Sequence, residues 1–177
     1  MNIDKYQDSI TNVSDFPIKG IQFKDITTLF ENPDAFEAMM DDLIEQIDHL
    51  PEFNKIVALD ARGFVLGGPL ALHYHVPLVL ARKPGKLPRE GVKQSYSLEY
   101  GQNTMCISQN SITKGDKVLV VDDLLATGGT INSIVKITEK CDATCVGAAV
   151  IIELDDLNGR ELLKPIDVVS LLHYKGE

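Results

Sequence analysis

Two adjacent carboxylates, Asp122 and Asp123, stand between an apolar run and a small loop that carries hydroxyl groups. The apolar run covers residues 118–121, and the loop, with the sequence Ala-Thr-Gly-Gly-Thr, covers residues 126–130. The carboxylates can accept hydrogen bonds from the hydroxyl groups of a ligand. The loop opens a helical pattern, so its backbone N–H groups, its hydroxyl groups and the helix dipole all favour an anion. Together the two parts predict a site for a ligand that carries both hydroxyl groups and a phosphate.

Two further segments are placed to bind a second anionic group, because each follows a short apolar run that predicts a buried strand. Residues 56–59 precede Asp60-Ala61-Arg62-Gly63, and residues 76–81 precede Arg82-Lys83-Pro84-Gly85-Lys86. The carboxyl ends of parallel strands meet at one edge of a sheet, so these segments should lie close to the first site. A basic loop is most often simply solvated, but the common placement of both segments after strands favours binding.

The elements that must position these segments alternate between strands and helices from residue 55 to 154, which predicts one α/β domain with a mostly parallel sheet. Strands are predicted at residues 56–59, 76–81, 104–108, 118–121, 146–154 and 168–172, and helices at 33–48, 64–74 and 128–140. Residues 84–101 lack a clear period and predict a functional loop or lid. The first thirty or so residues, with a short helix predicted within 2–13 and a strand at 21–26, should form a small cap with the end of the chain.

The composition limits the classes of function that the chain can have. Its 177 residues suffice for one domain with a sizeable core, and its formal net charge of −9 disfavours binding to nucleic acids and anionic membranes. No apolar run approaches the roughly 20 residues of a membrane span, and the N-terminal residues lack the apolar core of a signal peptide. Three cysteines are too few for a disulfide framework. Reduced thiols are expected instead, which favours a cytoplasmic protein.

The apolar run, the two carboxylates and the loop together resemble the signature with which type I phosphoribosyltransferases bind phosphoribosyl pyrophosphate (PRPP). Three other stretches are similar to the adenine branch of that family: ARGF at residues 61–64, RKPGKLP at 82–88 and SYSLEYG at 95–101. They occur in the same order as in that branch, and the resemblance covers nearly the whole chain.

The resemblance implies a single type I phosphoribosyltransferase-like domain, in which helices flank a central, mostly parallel sheet. The core would cover about residues 33–154. A small hood, from the N-terminal segment and a late loop, would cover about residues 1–30 and 153–177. The implied reaction is purine salvage, in which adenine and PRPP give AMP and pyrophosphate with Mg²⁺ bound mainly through the substrate. Family members are homodimers, so the chain is expected to pair with a second copy of itself.

The resemblance also assigns roles to individual residues. Glu99 would accept the proton that the imidazole nitrogen of adenine loses as the glycosidic bond forms. This role requires the Glu99 carboxylate to lie within hydrogen-bond distance of that nitrogen. The residues implied in binding PRPP or AMP are Arg62, Arg82, Lys83, Lys86, Tyr100, Asp122, Asp123, Ala126, Thr127, Gly128, Gly129 and Thr130. Those implied in binding adenine are Gln22, Phe23, Lys24 and Leu154. Phe23 would stack on the ring, backbone groups of Gln22 and Lys24 would read its edge, and the peptide bond before Ala61 is expected to be cis.

Two departures from the pattern of the family concern the choice of base. Lys19 stands where proline is common, and Lys24 stands where arginine is common; lysine does not reproduce the planar fork of arginine. Two alternatives therefore stay open: a transferase for a 6-oxopurine, and a non-catalytic regulator that senses PRPP or a nucleotide on the same fold. A panel of purine substrates distinguishes the first alternative from a transferase for adenine. Substitution of Glu99 distinguishes the second alternative from an enzyme. Without the resemblance, Glu99 is most simply a solvated charge. For Phe23, a role as a core aromatic residue stays open beside stacking on the base.

Overall fold

The computed structural model describes residues 3–16, 18–97 and 102–175. Its strands are β1 (Thr11–Ser14), β2 (Gln22–Asp25), β3 (Lys55–Leu59), β4 (Leu78–Ala81), β5 (Glu90–Ser97), β6 (Gln102–Ser108), β7 (Lys117–Val121), β8 (Leu124–Leu125), β9 (Thr144–Leu154) and β10 (Val168–Tyr174). Its α-helices are α1 (Asp4–Gln7), α2 (Thr27–Phe30), α3 (Pro33–Ile47), α4 (Gly63–Tyr74), α5 (Gly129–Lys140) and α6 (Gly159–Leu163). One 3₁₀ turn covers Asp155–Leu157.

Six strands form the central sheet, in which β10, β9, β7, β3 and β4 lie side by side and β8 pairs with β9. Every pairing in this sheet is parallel. The carboxyl ends of the strands therefore all lie at one edge, where open α/β sheets bind their ligands. The prediction of a central, mostly parallel sheet flanked by helices is confirmed.

Apolar side chains cover both faces of the sheet, because consecutive residues of a strand point to opposite sides. In β7, Leu119 and Val121 join a core that they share with α3 and α4. Val118 and Val120 join a second core that they share with α5 and β6. Burial on both faces explains why the central strands read as uninterrupted apolar runs in the sequence.

Two helices show how local sequence sets the packing against the sheet. Asn32 caps α3, since its Oδ1 accepts a hydrogen bond from the N–H of Ala35 at 3.2 Å and Pro33 occupies the first helical turn. In α4, Gly67 allows close contact with β3, where an added Cβ would come within 2.6 Å of Ala58 Cβ. The predicted start of α3 is confirmed.

The absence of secondary structure predicted for residues 84–101 is wrong for β5, which forms an antiparallel hairpin with β6. Side chains of β5 do alternate between the core and the solvent, but few of those that face the core are apolar. Val92 and Tyr96 pack on the second core, whereas Lys93 and Ser95 are exposed. The polar residues between the inward-facing positions hid the period of two from sequence reasoning.

The N-terminal prediction of a helix within residues 2–13 is correct only for α1, because residues 11–14 form β1 and pair with β2. The hydroxyl of Tyr6, which is fully buried, donates to Asp42 Oδ2 at 3.1 Å and fastens α1 to α3. Among the described residues, no helix combines the length and apolar character needed to cross a membrane.

Candidate active site

A cavity of ≈ 530 Å³, called the large cavity below, lies at the carboxyl-end edge of the central sheet. Most of its lining comes from the segments that follow three neighbouring strands, and Tyr96, Asn103 and Met105 of β5 and β6 complete it. Asp60, Ala61 and Arg62 follow β3, Lys83 follows β4, and residues 122–131 follow β7. The three segments that the sequence predicts to converge therefore do converge.

Residues 126–130, called the phosphate loop below, lead from β8 into α5 along the wall of the large cavity. Gly128, which precedes the helix, has φ = 80°, a left-handed conformation that glycine adopts without strain. The first N–H groups of a helix have no partner within it, so this helix start can bind an anion. Thr130 Oγ1 lies 3.1 Å from the hydroxyl of Tyr96, which connects the loop to β5.

The two carboxylates that follow β7 have different surroundings. Arg62 Nε donates to Asp123 Oδ2 at 2.5 Å, and the N–H of Asp123 donates to Asp122 Oδ1 at 2.9 Å. Burial, and then repulsion from Asp123, raises the pKa of Asp122 well above its ordinary value. The site therefore holds negative charge at a cost, and a positively charged group bound there would reduce that cost.

We expect Asp122→Asn to raise the free energy of unfolding near neutral pH. Because folding raises the pKa of Asp122, the native state holds this proton more tightly than the unfolded chain, whose aspartates titrate near about 3.9. The contribution of Asp122 to stability therefore falls as the pH rises above that value, and asparagine avoids this loss.

Urea unfolding at about pH 7 and about pH 3.5 tests the effect, and the gain from Asp122→Asn should shrink at the lower pH. Asp41→Asn, at an exposed position on α3, controls for the removal of a carboxylate from the surface. A variant that is no more stable than the unsubstituted protein at neutral pH would contradict the prediction.

The basic residues after β4 occupy different positions relative to the large cavity. Lys83 lines it, whereas Arg82 is not a lining residue, and its Nε donates at 2.9 Å to Oδ2 of the lining residue Asp60. Arg82 Nη1 also donates to the carbonyl oxygen of Lys86 at 3.2 Å, and the Lys86 side chain is exposed. The peptide bond between Asp60 and Ala61 is cis, as the resemblance implies.

A second cavity of ≈ 160 Å³, called the small cavity below, has a mostly apolar lining with a few polar groups, which is typical of small-molecule sites. Its lining residues are Ile21, Gln22, Phe23, Lys24, Arg62, Asp123, Leu124, Ile152, Leu154, Leu157 and Lys175. The structure thus brings together all four residues predicted to bind a base. The ring of Phe23 is half-buried and meets the ring of Phe16 edge-on, with 5.1 Å between centroids.

The two cavities share a wall that is formed by Arg62, Asp123 and Leu124. A ligand in the large cavity and a flat ring in the small cavity would therefore meet at this wall. The arrangement suits a reaction in which a group passes from one ligand to the other.

Two side chains of the small cavity have partners in other strands. Gln22 Oε1 accepts hydrogen bonds from Asn12 Nδ2 at 2.8 Å and Ser14 Oγ at 3.0 Å, both on β1. Lys24 Nζ lies 4.6 Å from the centre of the Tyr174 ring on β10, a cation–π contact. These contacts fasten β2 to its neighbours, and they leave the backbone groups of Gln22 and Lys24 as the candidates for contact with a ring.

Sequence reasoning missed several residues that line the cavities. Tyr96 could have been found from the weak alternation in β5, but Lys175 carries no local signal and reaches the small cavity because β10 pairs with β9. Two predicted residues, Glu99 and Tyr100, lie outside the described residues. Their roles therefore stay predictions.

Among the described residues, Glu153, Asp155 and His173 are close enough together to offer ligands to a metal ion. Arg160 already donates two hydrogen bonds to Glu153, and His173 Nδ1 lies 2.8 Å from Asp155 Oδ1. The positive charge of this cluster is therefore supplied by an arginine, and the cluster is best described as a hydrogen-bond network.

Comparison with known proteins agrees with the geometry. The phosphoribosyl transferase domain family matches residues 26–173. Adenine phosphoribosyltransferase of Pseudoalteromonas translucida is 43% identical over 173 residues, which cover 97% of this chain and 95% of that protein.

Two crystal structures extend the similarity to three dimensions. Adenine phosphoribosyltransferase from Thermoanaerobacter pseudethanolicus has a TM-score of 0.93 at 38% identity, covering 98% of this chain and 100% of that one. The enzyme from Saccharomyces cerevisiae, in complex with an imino-altritol bisphosphate and adenine, has a TM-score of 0.87 at 35% identity, covering 96% and 97%. With these similarities added to its fold and its paired cavities, the chain belongs to the phosphoribosyltransferase family, in the group of adenine phosphoribosyltransferases.

Proposed function

We propose that the protein transfers a phosphoribosyl group from PRPP to adenine, which yields AMP and pyrophosphate and salvages a free purine. The observation that carries the proposal is the pair of adjoining cavities. The large cavity combines an anion-binding loop, two carboxylates and basic side chains, and the small cavity is mostly apolar. The relatives of the chain support the same reaction.

The large cavity is proposed to bind PRPP. The phosphate loop holds the 5′-phosphate through backbone N–H groups and through the hydroxyl groups of Thr127 and Thr130. Asp122 and Asp123 accept the ribose hydroxyl groups and lie beneath the positive charge that develops on the sugar in the transition state.

The pyrophosphate is proposed to bind at the basic side of the large cavity. Arg62 and Lys83, which line the cavity, contact its oxygens, while Arg82 and Lys86 add positive charge from the margin. The position of Arg62 in the shared wall supports this role, because the leaving group departs from the carbon that accepts the base.

The small cavity is proposed to bind adenine between Phe23 and Leu154, with backbone groups of Gln22 and Lys24 at the edge of the ring. Both apolar residues line this cavity, which supports the assignment. Glu99 takes the proton that the imidazole nitrogen loses as the new bond forms. Tyr100 contacts the sugar phosphate from the same segment of the chain and helps to exclude water.

Mg²⁺ is proposed as the cofactor, because a hard cation prefers oxygen ligands and PRPP, proposed to bind in the large cavity, offers many of them. The substrate would provide most of the ligands through its pyrophosphate and hydroxyl groups, and the two carboxylates would hold the hydroxyl groups in place. When bound, the ion neutralises the negative charge of the leaving pyrophosphate.

We expect adenine to be consumed at least about 100-fold faster than hypoxanthine or guanine when each is incubated with the protein, PRPP and Mg²⁺. A site that accepts a hydrogen bond from an exocyclic amine disfavours binding of a purine with an oxo group at that position, because the oxo oxygen is itself an acceptor. Chromatography of the nucleotide products measures the rates.

Turnover of hypoxanthine or guanine without adenine would instead indicate a transferase for 6-oxopurines. Binding of PRPP without turnover of any purine would indicate a regulator that senses PRPP.

We further propose a cytoplasmic homodimer. The three cysteines are free thiols, which suits a reducing compartment. The residues Val65 and Leu72 on α4 and Leu80 on β4 are 40%, 84% and 38% exposed, and exposed apolar surface of this kind favours association with a partner. The net charge of −9 supports small-molecule substrates and a protein partner over nucleic acid or membrane.

A further inference from the structure

Residues 154–159, called the clasped loop below, are fastened at both ends by one ion pair. Arg160 Nε and Nη2 donate to Glu153 Oε1 and Oε2 at 3.0 and 2.5 Å. Arg160 also donates to the carbonyl oxygen of Val168 at 2.6 Å and to Ser170 Oγ at 2.9 Å, both on β10. Burial opposes the ionisation of Glu153, but the hydrogen bonds from Arg160 and Ser170 hold its pKa below the ordinary value. The ion pair between Arg160 and Glu153, called the clasp below, is therefore charged, and it is attached to β9 and β10.

The clasped loop contacts the surroundings of both cavities. Leu154 and Leu157 line the small cavity. At the other end of the loop, Gly159 lies against the phosphate loop, where an added Cβ would be 2.1 Å from the carbonyl oxygen of Ala126 and 2.9 Å from the nitrogen of Gly128. A Cβ on Gly128 would likewise lie 2.6 Å from the carbonyl oxygen of Gly159. The two backbones are thus in direct contact, with no room for a side chain between them.

We propose that Gly159 is a positioning residue that supports the phosphate loop from behind, in the conformation that binds the 5′-phosphate of PRPP. The proposal rests on the proposed function of the large cavity. Gly159 acts through Ala126 and Gly128, which line that cavity, whereas Gly159 is not itself among its lining residues.

A side chain at Gly159 must displace either the clasped loop or the phosphate loop. The clasped loop resists displacement because four hydrogen bonds from Arg160 fix its end to β9 and β10. The phosphate loop borders an open cavity and therefore moves more easily. Ordinary contact begins at 3.4 Å, so a contact of 2.1 Å requires a shift of about 1 Å, which in a binding site can cost about 100-fold.

Gly159→Ala tests the proposal against Gly68→Ala on α4, a matched control whose added Cβ meets no atom within 4 Å. In calorimetric titration with PRPP and Mg²⁺, the Kd of Gly159→Ala should be at least about tenfold higher than that of the unsubstituted protein. The Kd of Gly68→Ala should be unchanged. The KM for adenine at saturating PRPP should change less than about threefold in Gly159→Ala, because the clasp keeps Leu154 and Leu157 in place.

An unchanged PRPP affinity in a folded Gly159→Ala variant would overturn the proposal, and so would an effect confined to the KM for adenine. If this variant does not fold, Arg160→Lys provides the test, because lysine keeps the charge but loses the fork that holds the clasp. Its Kd for PRPP should rise at least about threefold, and an unchanged Kd would overturn the proposal.

Failure of the proposed function gives a different result. The unsubstituted protein would then bind PRPP without consuming adenine, and the comparison of Kd values would still decide the role of Gly159. An unsubstituted protein that does not bind PRPP would overturn both proposals.

Discussion

The double variant Asp122→Ala, Asp123→Ala is expected to form AMP at least about 10³-fold more slowly than the unsubstituted protein. The substitutions remove both acceptors for the ribose hydroxyl groups and the negative charge beneath the developing cation. They also leave Arg62 without the carboxylate to which it donates at 2.5 Å. The first two losses fall on the group that is transferred, so the rate should fall even when both substrates are saturating.

Steady-state AMP formation, measured on protein whose fold has been verified by circular dichroism, provides the rate. Asp41→Ala removes an exposed carboxylate from α3 and should leave the rate unchanged. The variant Asp122→Asn, Asp123→Asn keeps the shape of the side chains, so its loss of activity measures the contribution of the negative charges. Retention of more than about a tenth of the activity in the alanine variant would refute the assignment of these carboxylates.

Glu99→Ala should slow turnover about 10³-fold while PRPP still binds, because general acid–base groups typically contribute 10²- to 10⁴-fold. Glu99 lies outside the described residues, and the argument rests on its neighbours in the sequence. Tyr96, three residues earlier, lines the large cavity, and its hydroxyl lies 3.1 Å from Thr130 Oγ1. β5 therefore brings the chain to the site shortly before Glu99.

The test of Glu99 separates binding from chemistry. Calorimetric titration should give the same Kd for PRPP in Glu99→Ala and in the unsubstituted protein, whereas AMP formation should fall. Gln102→Ala, at an exposed position at the start of β6, is the matched control and should retain full activity. Unchanged turnover in Glu99→Ala would remove this residue from the mechanism.

The large cavity was predictable from the sequence because its signal is local. Asp122, Arg62 and Lys83 each follow an apolar strand, and parallel pairing brings the ends of such strands to one edge. The small cavity was less accessible to this reasoning. Phe23 comes from a two-stranded sheet outside the alternation of strands and helices, so its role depended on the resemblance to a family.

Other features depend on contacts between distant parts of the chain. The inward face of β5 carries only Val92 and Tyr96 as large apolar residues, so its sequence predicts a loop and not a strand. The contact of Gly159 with the phosphate loop could not be predicted from the sequence, because its neighbours in space, Ala126 and Gly128, lie far from it along the chain. No local pattern distinguishes a glycine that touches another backbone from one in an ordinary turn.

The wall shared by the two cavities has a thermodynamic consequence. A phosphate that draws Arg62 away from Asp123 changes the charge at the edge of the small cavity, so the two ligands should influence the affinity of each other. Equilibrium requires this influence to be reciprocal: if PRPP alters the Kd of adenine by some factor, adenine alters the Kd of PRPP by the same factor. A tenfold effect would correspond to a coupling free energy of about 1.4 kcal/mol, carried by one ion pair that lies between the two ligands.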